Sequence, residues 1–348
     1  MFRKILVANR GEIALRIIRA CRELGIPTVA VYSKADESAL HVRFADEAVC
    51  VGPPPALQSY LNQPAILATA EICECDAVHP GYGFLAENPQ FASAVEAMGL
   101  TFIGPSVEHL RTFGDKVAAK EAARAAGLPE LPGSHGVVDT LQQAKDAAKQ
   151  TGYPLMLKAS AGGGGRGMRV TDTALVRVPQ FAISQAEARA AFGSDAVFVE
   201  RYVGTPRHVE VQVLADGRGG ALHLGTRDCS AQRRHQKLIE EATAPGLTPE
   251  MRTRMCEGAA ELMRQVGYRT VGTVEFLVDG EDFYFLEVNP RIQVEHPVTE
   301  EVTGVDLVQE QIRLAAGAPL SLTQEDVRFA GHAIELRINA EDPETFAP

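Results

Sequence analysis

A chain of 348 residues, 45% hydrophobic and 23% charged, is long enough for two or three compact domains and has an ordinary globular balance. Its formal net charge of −11 argues against a generic nucleic-acid or anionic-membrane surface, which needs clustered positive charge. No apolar run reaches membrane-spanning length and no signal peptide is read at Met1-Phe2-Arg3-Lys4-Ile5, so the expectation is a cytoplasmic protein. Cys21, Cys50, Cys73, Cys75, Cys229 and Cys256 follow neither a disulfide framework nor a zinc spacing and are expected to be reduced.

Residues 1–110 alternate apolar runs with helical patterns, as a parallel α/β unit does. Lys4–Ala8, Thr28–Tyr32, Ala77–His79 and Thr101–Ile103 read as strands, and Gly11–Leu24 as a helix ended by Gly25. The first strand-to-helix turn, Ala8-Asn9-Arg10-Gly11-Glu12, has one glycine where a dinucleotide site has three. The unit therefore has a Rossmann-like shape without the Rossmann site. Asp115 caps a helix running to Ala126 before Gly127, with Lys116 in its first turn, either as a solvated lysine or facing a bound anion. Leu128–Ser134 reads as a hinge. A second unit, about 131–203, has a helix, strand Leu155–Ala159, a glycine loop, strand Met168–Thr171, another helix and strand Ala196–Tyr202. From about 204 antiparallel hairpins take over, with a helix started by Thr248-Pro249-Glu250 and ended by Gly267.

Gly162-Gly163-Gly164-Gly165-Arg166-Gly167 sits between two strands, and Met168 stands where a P-loop requires lysine. It reads as a side-chain-free hairpin tip whose N–H groups can approach phosphate, with Lys158 just before it; the competing reading is a plain linker. Thr273–Val278 and Phe283–Asn289 form a hairpin that embeds Glu275 and Glu287 among large apolar residues. Buried carboxylates are costly unless paired or metal-bound. Glu287 and Asn289 share a face by period-2 geometry, and Glu275 joins it only if the register sums to an even number, which implies an odd-length turn. Two carboxylates and an amide oxygen suit Mg²⁺ or Mn²⁺; the alternative is a pair of solvent-facing glutamates.

In His208–Val213 the valines point into a core, and His208, Glu210 and Gln212 line the opposite, polar face. Arg227–Lys237 concentrates Arg227, Arg233, Arg234 and Lys237, a run that is either solvated or part of a cleft. Arg291 can hold a small oxyanion bidentately and Glu295 can serve as a base.

Taken in order, these segments resemble the biotin carboxylase family. The matches are Ile5–Ala14, His79–Leu85, the glycine loop, Arg227-Asp228-Cys229-Ser230 with Gln232–Lys237, Glu287–Glu300 and Gly331–Pro343, spread over essentially the whole chain. The resemblance implies an α/β ATP-grasp fold with a Rossmann-like N-terminal domain at 1–112, a linker helix and hinge at 113–130, a mobile lid at 131–203 and a catalytic part at 204–348 whose C-terminal α+β domain is incomplete. It implies that Lys116, Lys158, Gly164, Gly165, His208, Gln232 and His235 contact ATP and that Glu200, Arg201, Tyr202 and Val203 form the adenine-side hinge. Glu275, Glu287 and Asn289 would hold magnesium or manganese, two ions being expected. Lys237, Arg291 and Val294 would position bicarbonate, Glu295 would deprotonate it, and Arg337 would stabilise the enolate of biotin's ureido group.

The implied activity is ATP-dependent carboxylation of biotin through carboxyphosphate, the first half-reaction of a biotin-dependent carboxylase such as acetyl-CoA carboxylase. The implied partners are biotin carboxyl carrier protein, a carboxyltransferase and a second copy of the chain. The family's chain continues beyond Asn339–Pro343, whereas this one stops at Pro348, so the homodimer, to which Arg19 and Glu23 belong, is expected to be weakened. The alternatives are a fragment that binds MgATP without turnover and an ATP-grasp ligase with another acceptor. The final carboxyl acceptor is not written in this chain.

Overall fold

The computed structural model describes residues 1–134, 136–159, 168–171, 178–192, 197–234, 236–342 and 344–345. Strands β1 (Ile5–Val7), β2 (Thr28–Ser33), β3 (Glu47–Gly52), β4 (Ala77–His79) and β5 (Thr101–Phe102) form a parallel sheet in the order β3-β2-β1-β4-β5. Both faces of its central strands are apolar, as a sheet covered by helices requires. Leu6, Val29 and Val78 pack under the helices Gln63–Ile72 and Pro89–Ala97, while Ile5, Val7, Ala30 and Ala77 pack against Ile13, Ile17 and Ile18 of the helix Gly11–Glu23. Gly25 takes φ +70° behind that helix. β3 has no counterpart among the strands read from sequence. It is an edge strand whose Glu47, Ala48 and Cys50 are exposed, so it lacks the apolar run that marks its neighbours.

Strands β6 (Leu155–Ala159), β7 (Met168–Thr171) and β8 (Val197–Arg201) make a small antiparallel sheet in the order β7-β6-β8, packed on the helix Leu141–Thr151 through Leu155, Leu157, Val197 and Val199. The glycine loop lies outside the described residues. The third sheet is antiparallel, in the order β13-β12-β9-β10-β11-β14: β9 is Arg207–Asp216, β10 Ala221–Arg233, β11 Gln236–Ala242, β12 Arg269–Asp279, β13 Asp282–Asn289 and β14 Ala333–Leu336. Its inner face buries Val209, Val211, Val213, Val274 and Phe276 against Met255 and Leu262 of the helix Pro249–Gln265. Its other face contributes Leu214, Leu224 and Val271 to the core that also holds Ile13, Ile17 and Ile18. That shared core fixes the first helix relative to the third sheet, and the site depends on it. Among the described residues no helix is long and apolar enough to cross a membrane.

Candidate active site

A cleft of about 970 Å³ opens between the small antiparallel sheet and the large one. Its acidic wall comes from the β12–β13 hairpin. The turn between the strands is a two-residue Gly280-Glu281 connection, with Asp279 opposite Asp282, so the odd-length turn expected from sequence is incorrect. The even register arises further along, from a β-bulge. Phe276 pairs with Phe285 and Glu275 with Glu287, leaving Leu286 as the extra residue. Phe283, Phe285 and Val288 enter the core, while Leu286 and Glu287, though adjacent, both line the cleft. The bulge therefore puts Glu275, Glu287 and Asn289 on one face.

These groups are close enough to feel one another. Asn289 Nδ2 donates to Glu275 Oε1 at 2.8 Å, and the Asn289 Oδ1 accepts from Arg291 at 2.9 Å. Although Glu287 keeps an exposed side chain, partial desolvation by the cleft walls and the charge of Glu275 push its carboxyl above the ordinary value. Two carboxylates and an amide oxygen, with a mutual repulsion that a dication would relieve, fit a hard divalent ion of the Mg²⁺ type.

Next to them Lys237 Nζ donates to Glu210 at 2.6 Å, Glu275 at 2.8 Å and Glu295 at 2.6 Å. Burial alone would lower this lysine's pKa, but the three carboxylates raise it well above its usual value, so it is a permanent cation. Glu210 has a second partner. Arg227, wholly buried, gives Nε to Glu210 at 2.6 Å and its other nitrogens to Gln212, Thr299, Thr273 and Gln293. Gln293 in turn donates to Glu275 at 3.1 Å. The expected polar face of β9 is thus a sealed network: Gln212 binds the Gly272 carbonyl and Arg227, and only His208 of that face lines the cleft. His208 Nε2 lies 3.1 Å from Glu275, whose charge keeps the imidazole pKa raised against the lowering effect of burial.

At the opposite end Arg337 donates Nε to Glu240 at 2.6 Å and a terminal nitrogen to Glu295 at 2.9 Å. Glu295 is thereby shared by Lys237 and Arg337. Tyr82 closes this end from the N-terminal sheet, its hydroxyl bonded to Glu12. Arg291 pairs with Glu87 at 3.1 Å, also from the N-terminal region, and faces the same space.

At the other end Lys116, Glu200, Arg201, Tyr202, Val203 and Gln232 line the cleft. Lys120 binds the Glu200 carboxylate, and the Gln232 amide bridges the Cys229 carbonyl and His208. Lys116 lies near enough to Glu287 to lower that carboxyl's pKa. Val294, Glu295, Lys237, Arg291 and Arg337 complete the wall. Gly164, Gly165 and His235 fall outside the described residues, as does the side chain of Lys158, whose backbone belongs to β6.

Sequence reasoning missed Arg227 as a buried hub, because a run of cations reads as solvated surface. It also missed Glu240, Glu87 and Lys120. Glu240 is buried between the exposed Ile239 and the half-buried Glu241 in β11, and its strand carries no signal in the sequence that singles it out.

An apolar parallel sheet, a small antiparallel sheet, and a large antiparallel sheet presenting carboxylates to the cleft define an ATP-grasp enzyme. The family described as "Biotin carboxylase, N-terminal domain" matches residues 1–110, and that described as "Carbamoyl-phosphate synthase L chain, ATP binding domain" matches 115–323. A biotin carboxylase of Allochromatium vinosum is 58% identical over 349 aligned residues, which cover 100% of this chain and 78% of that protein. The structure superposes on a biotin carboxylase–β,γ-ATP complex from Campylobacter jejuni with a TM-score of 0.95 and 48% identity, covering 100% of this chain and 78% of that one. Against the biotin carboxylase domain dimer of Hydrogenobacter thermophilus 2-oxoglutarate carboxylase, solved with MgADP, ADP and bicarbonate, the TM-score is 0.93 and the identity 51%, with 100% and 77% covered. The chain belongs to the biotin carboxylase family. Its activity is the ATP-dependent carboxylation of biotin.

Proposed function

We propose that the reaction runs across the cleft from the Glu287 side to the Arg337 side, with Glu295 as the pivot. The observation that supports this most directly is that one carboxylate, Glu295, receives both Lys237 and Arg337. Lys116, Lys158, the glycine loop at Gly164 and Gly165, His208, Gln232 and His235 hold the nucleotide, with Glu200–Val203 along the adenine. Glu275, Glu287 and Asn289 hold the divalent ions, which neutralise phosphate charge when bound. Lys237, Arg291 and Val294 orient bicarbonate. Glu295 accepts its proton, and the bicarbonate oxygen attacks the γ-phosphorus as the bond to ADP breaks. The carboxyphosphate formed splits to CO₂ and phosphate. The phosphate takes the proton from the ureido nitrogen, Arg337 stabilises the charge left on the ureido oxygen, and the nitrogen attacks CO₂. Positive charge aimed at both transferred groups, in a site shielded from water, is what so labile an intermediate requires.

The biotin is carried by a biotin carboxyl carrier protein, and the product passes to a carboxyltransferase. The pairing of two copies through the face that includes Arg19 and Glu23 belongs to the same reading. The test is ADP release by this chain with MgATP and bicarbonate, with and without free biotin. Stimulation by biotin that is lost in Arg337→Ala is the expected result. Stimulation that survives Arg337→Ala would remove Arg337 from the assigned role. Nucleotide binding with no stimulation at all would make this chain a binding module.

A further inference from the structure

Glu240 and Glu335 stand directly opposite each other across the β11–β14 pair, so their side chains share a face. Like charges in that arrangement repel. Glu240 is wholly buried; its Oε1 takes Arg337, while its Oε2 is buried without a hydrogen-bond partner among the described residues. Glu335 also buries its Oε2 without a partner among those residues. Two orphan acceptors on facing side chains are both satisfied by a single proton between them. The charge count points the same way. Arg337 is one cation beside Glu240, Glu295 and Glu335, and Lys237 is already divided among Glu210, Glu275 and Glu295.

Resting on the assignment of Arg337 to the biotin side of the cleft, we propose that Glu335 is a positioning residue for Arg337. Its protonated carboxyl donates to Glu240 Oε2, so that Glu240 holds the guanidinium against Glu295 with its other oxygen alone. Burial and the charges of Glu240 and Glu295 push the Glu335 carboxyl up to about 7, with Arg337 opposing. Burial raises Glu240 as well. The groups facing Glu335 are Glu240 from β11, Arg337 just beyond the end of β14, Glu295 ahead of the helix His296–Thr303, and Glu12 with its partner Tyr82 from the N-terminal domain's sheet region. When the proton leaves, Glu335 becomes a third carboxylate competing for Arg337, and the guanidinium is drawn away from the biotin side.

Two readouts test it. In the infrared spectrum of the ligand-free chain, a protonated-carboxyl C=O band titrates near neutrality in the wild type and is missing in Glu335→Gln, whose amide donates without titrating. In the kinetics, kcat/KM for biotin falls by about tenfold per pH unit above that midpoint in the wild type. Glu335→Gln flattens this fall, and Glu335→Ala, with no donor, raises KM for biotin more than it lowers kcat. A band that persists in Glu335→Gln, or pH profiles that coincide, would overturn the proposal. If the chain carboxylates no biotin, the infrared titration decides alone, which separates a failure of the shared proton from a failure of the assigned activity.

Discussion

Arg227→Met removes a guanidinium with no exposure to solvent and five hydrogen bonds, to Glu210, Gln212, Thr299, Thr273 and Gln293. The methionine fills much of the space, so the cost comes from what is left behind. Breaking a buried ion pair from one side costs about 3–5 kcal/mol, because the remaining charge is uncompensated. Glu210 keeps Lys237 at 2.6 Å, which favours the lower end, while the unpaired amide and hydroxyl oxygens add to the loss. Against a total of about 5–15 kcal/mol, a loss of about 3–5 is large, and the thermal midpoint of a chain this long should fall by roughly 4–7 °C. The pH dependence carries a second signature. Burial would raise the Glu210 carboxyl, but Lys237 and Arg227 overcome it and hold the value down to about 2 from its ordinary 4.5. A lowered carboxylate contributes stability that is complete above its unfolded value and is lost as pH falls through the folded one. The gap between wild type and Arg227→Met should therefore be full at neutral pH and narrow as pH drops below about 4.5. Urea unfolding at pH 7 and at pH 4 measures both. A loss under about 1 kcal/mol at pH 7, or a gap independent of pH, would refute the hub.

Glu287→Gln should raise the Mg²⁺ concentration for half-maximal ADP formation by about 10-fold or more. The same change relieves repulsion with Glu275, so metal-free thermal stability should hold or rise; a drop in it would contradict the arrangement of the two carboxylates. Gly133→Val should raise KM for ATP and cost about 1–3 kcal/mol, since its Cβ would meet the Val199 carbonyl at the bridge between Gly133 and Glu200. Unchanged ATP kinetics and an unchanged thermal midpoint would show that this junction does not shape the nucleotide end.

The parallel sheet was legible because β1, β2 and β4 are continuous apolar runs. The edge strand β3 was not, because an edge is stabilised by pairing that its own side chains do not advertise. Residue types at the site were legible for a different reason: carboxylates placed among Phe276, Phe283 and Phe285 need a cation somewhere. Their geometry was harder. Strict alternation predicts an odd turn, whereas the chain uses an even turn and then slips by one at Leu286. The trace of that slip is present in the sequence, where the core spacing changes from two between Phe283 and Phe285 to three between Phe285 and Val288. Glu240 and Glu335 illustrate the remaining limit. Each sits in an unremarkable alternating strand, and only the pairing of β11 with β14 makes a problem of their charges.

The first strand-to-helix turn of the N-terminal sheet shows how a dinucleotide-binding shape can serve another purpose. In a Rossmann site that turn is glycine-rich so that backbone can approach a pyrophosphate. Here the side chains of that turn are engaged by the protein itself. Asn9 Nδ2 donates to the carbonyls of Pro80 and Tyr82, each at 2.7 Å; Arg10 pairs with Asp36 at 2.5 Å; and Glu12 takes the Tyr82 hydroxyl. A Cβ at Gly81 would press on Asn9 and Ile13, so the loop can lie this close only with glycine at that position, which also has φ +63°. The turn thus acts as a clamp on the Tyr82 loop. Because Ile13, Ile17 and Ile18 of the same helix share a core with Leu214 and Val271 of the large sheet, the clamp is rigidly tied to the strands that carry Glu210 and Glu275. A sheet with no nucleotide fingerprint of its own is therefore retained for a physical reason: it fixes one wall of a cleft whose charges are supplied mainly by the other sheets.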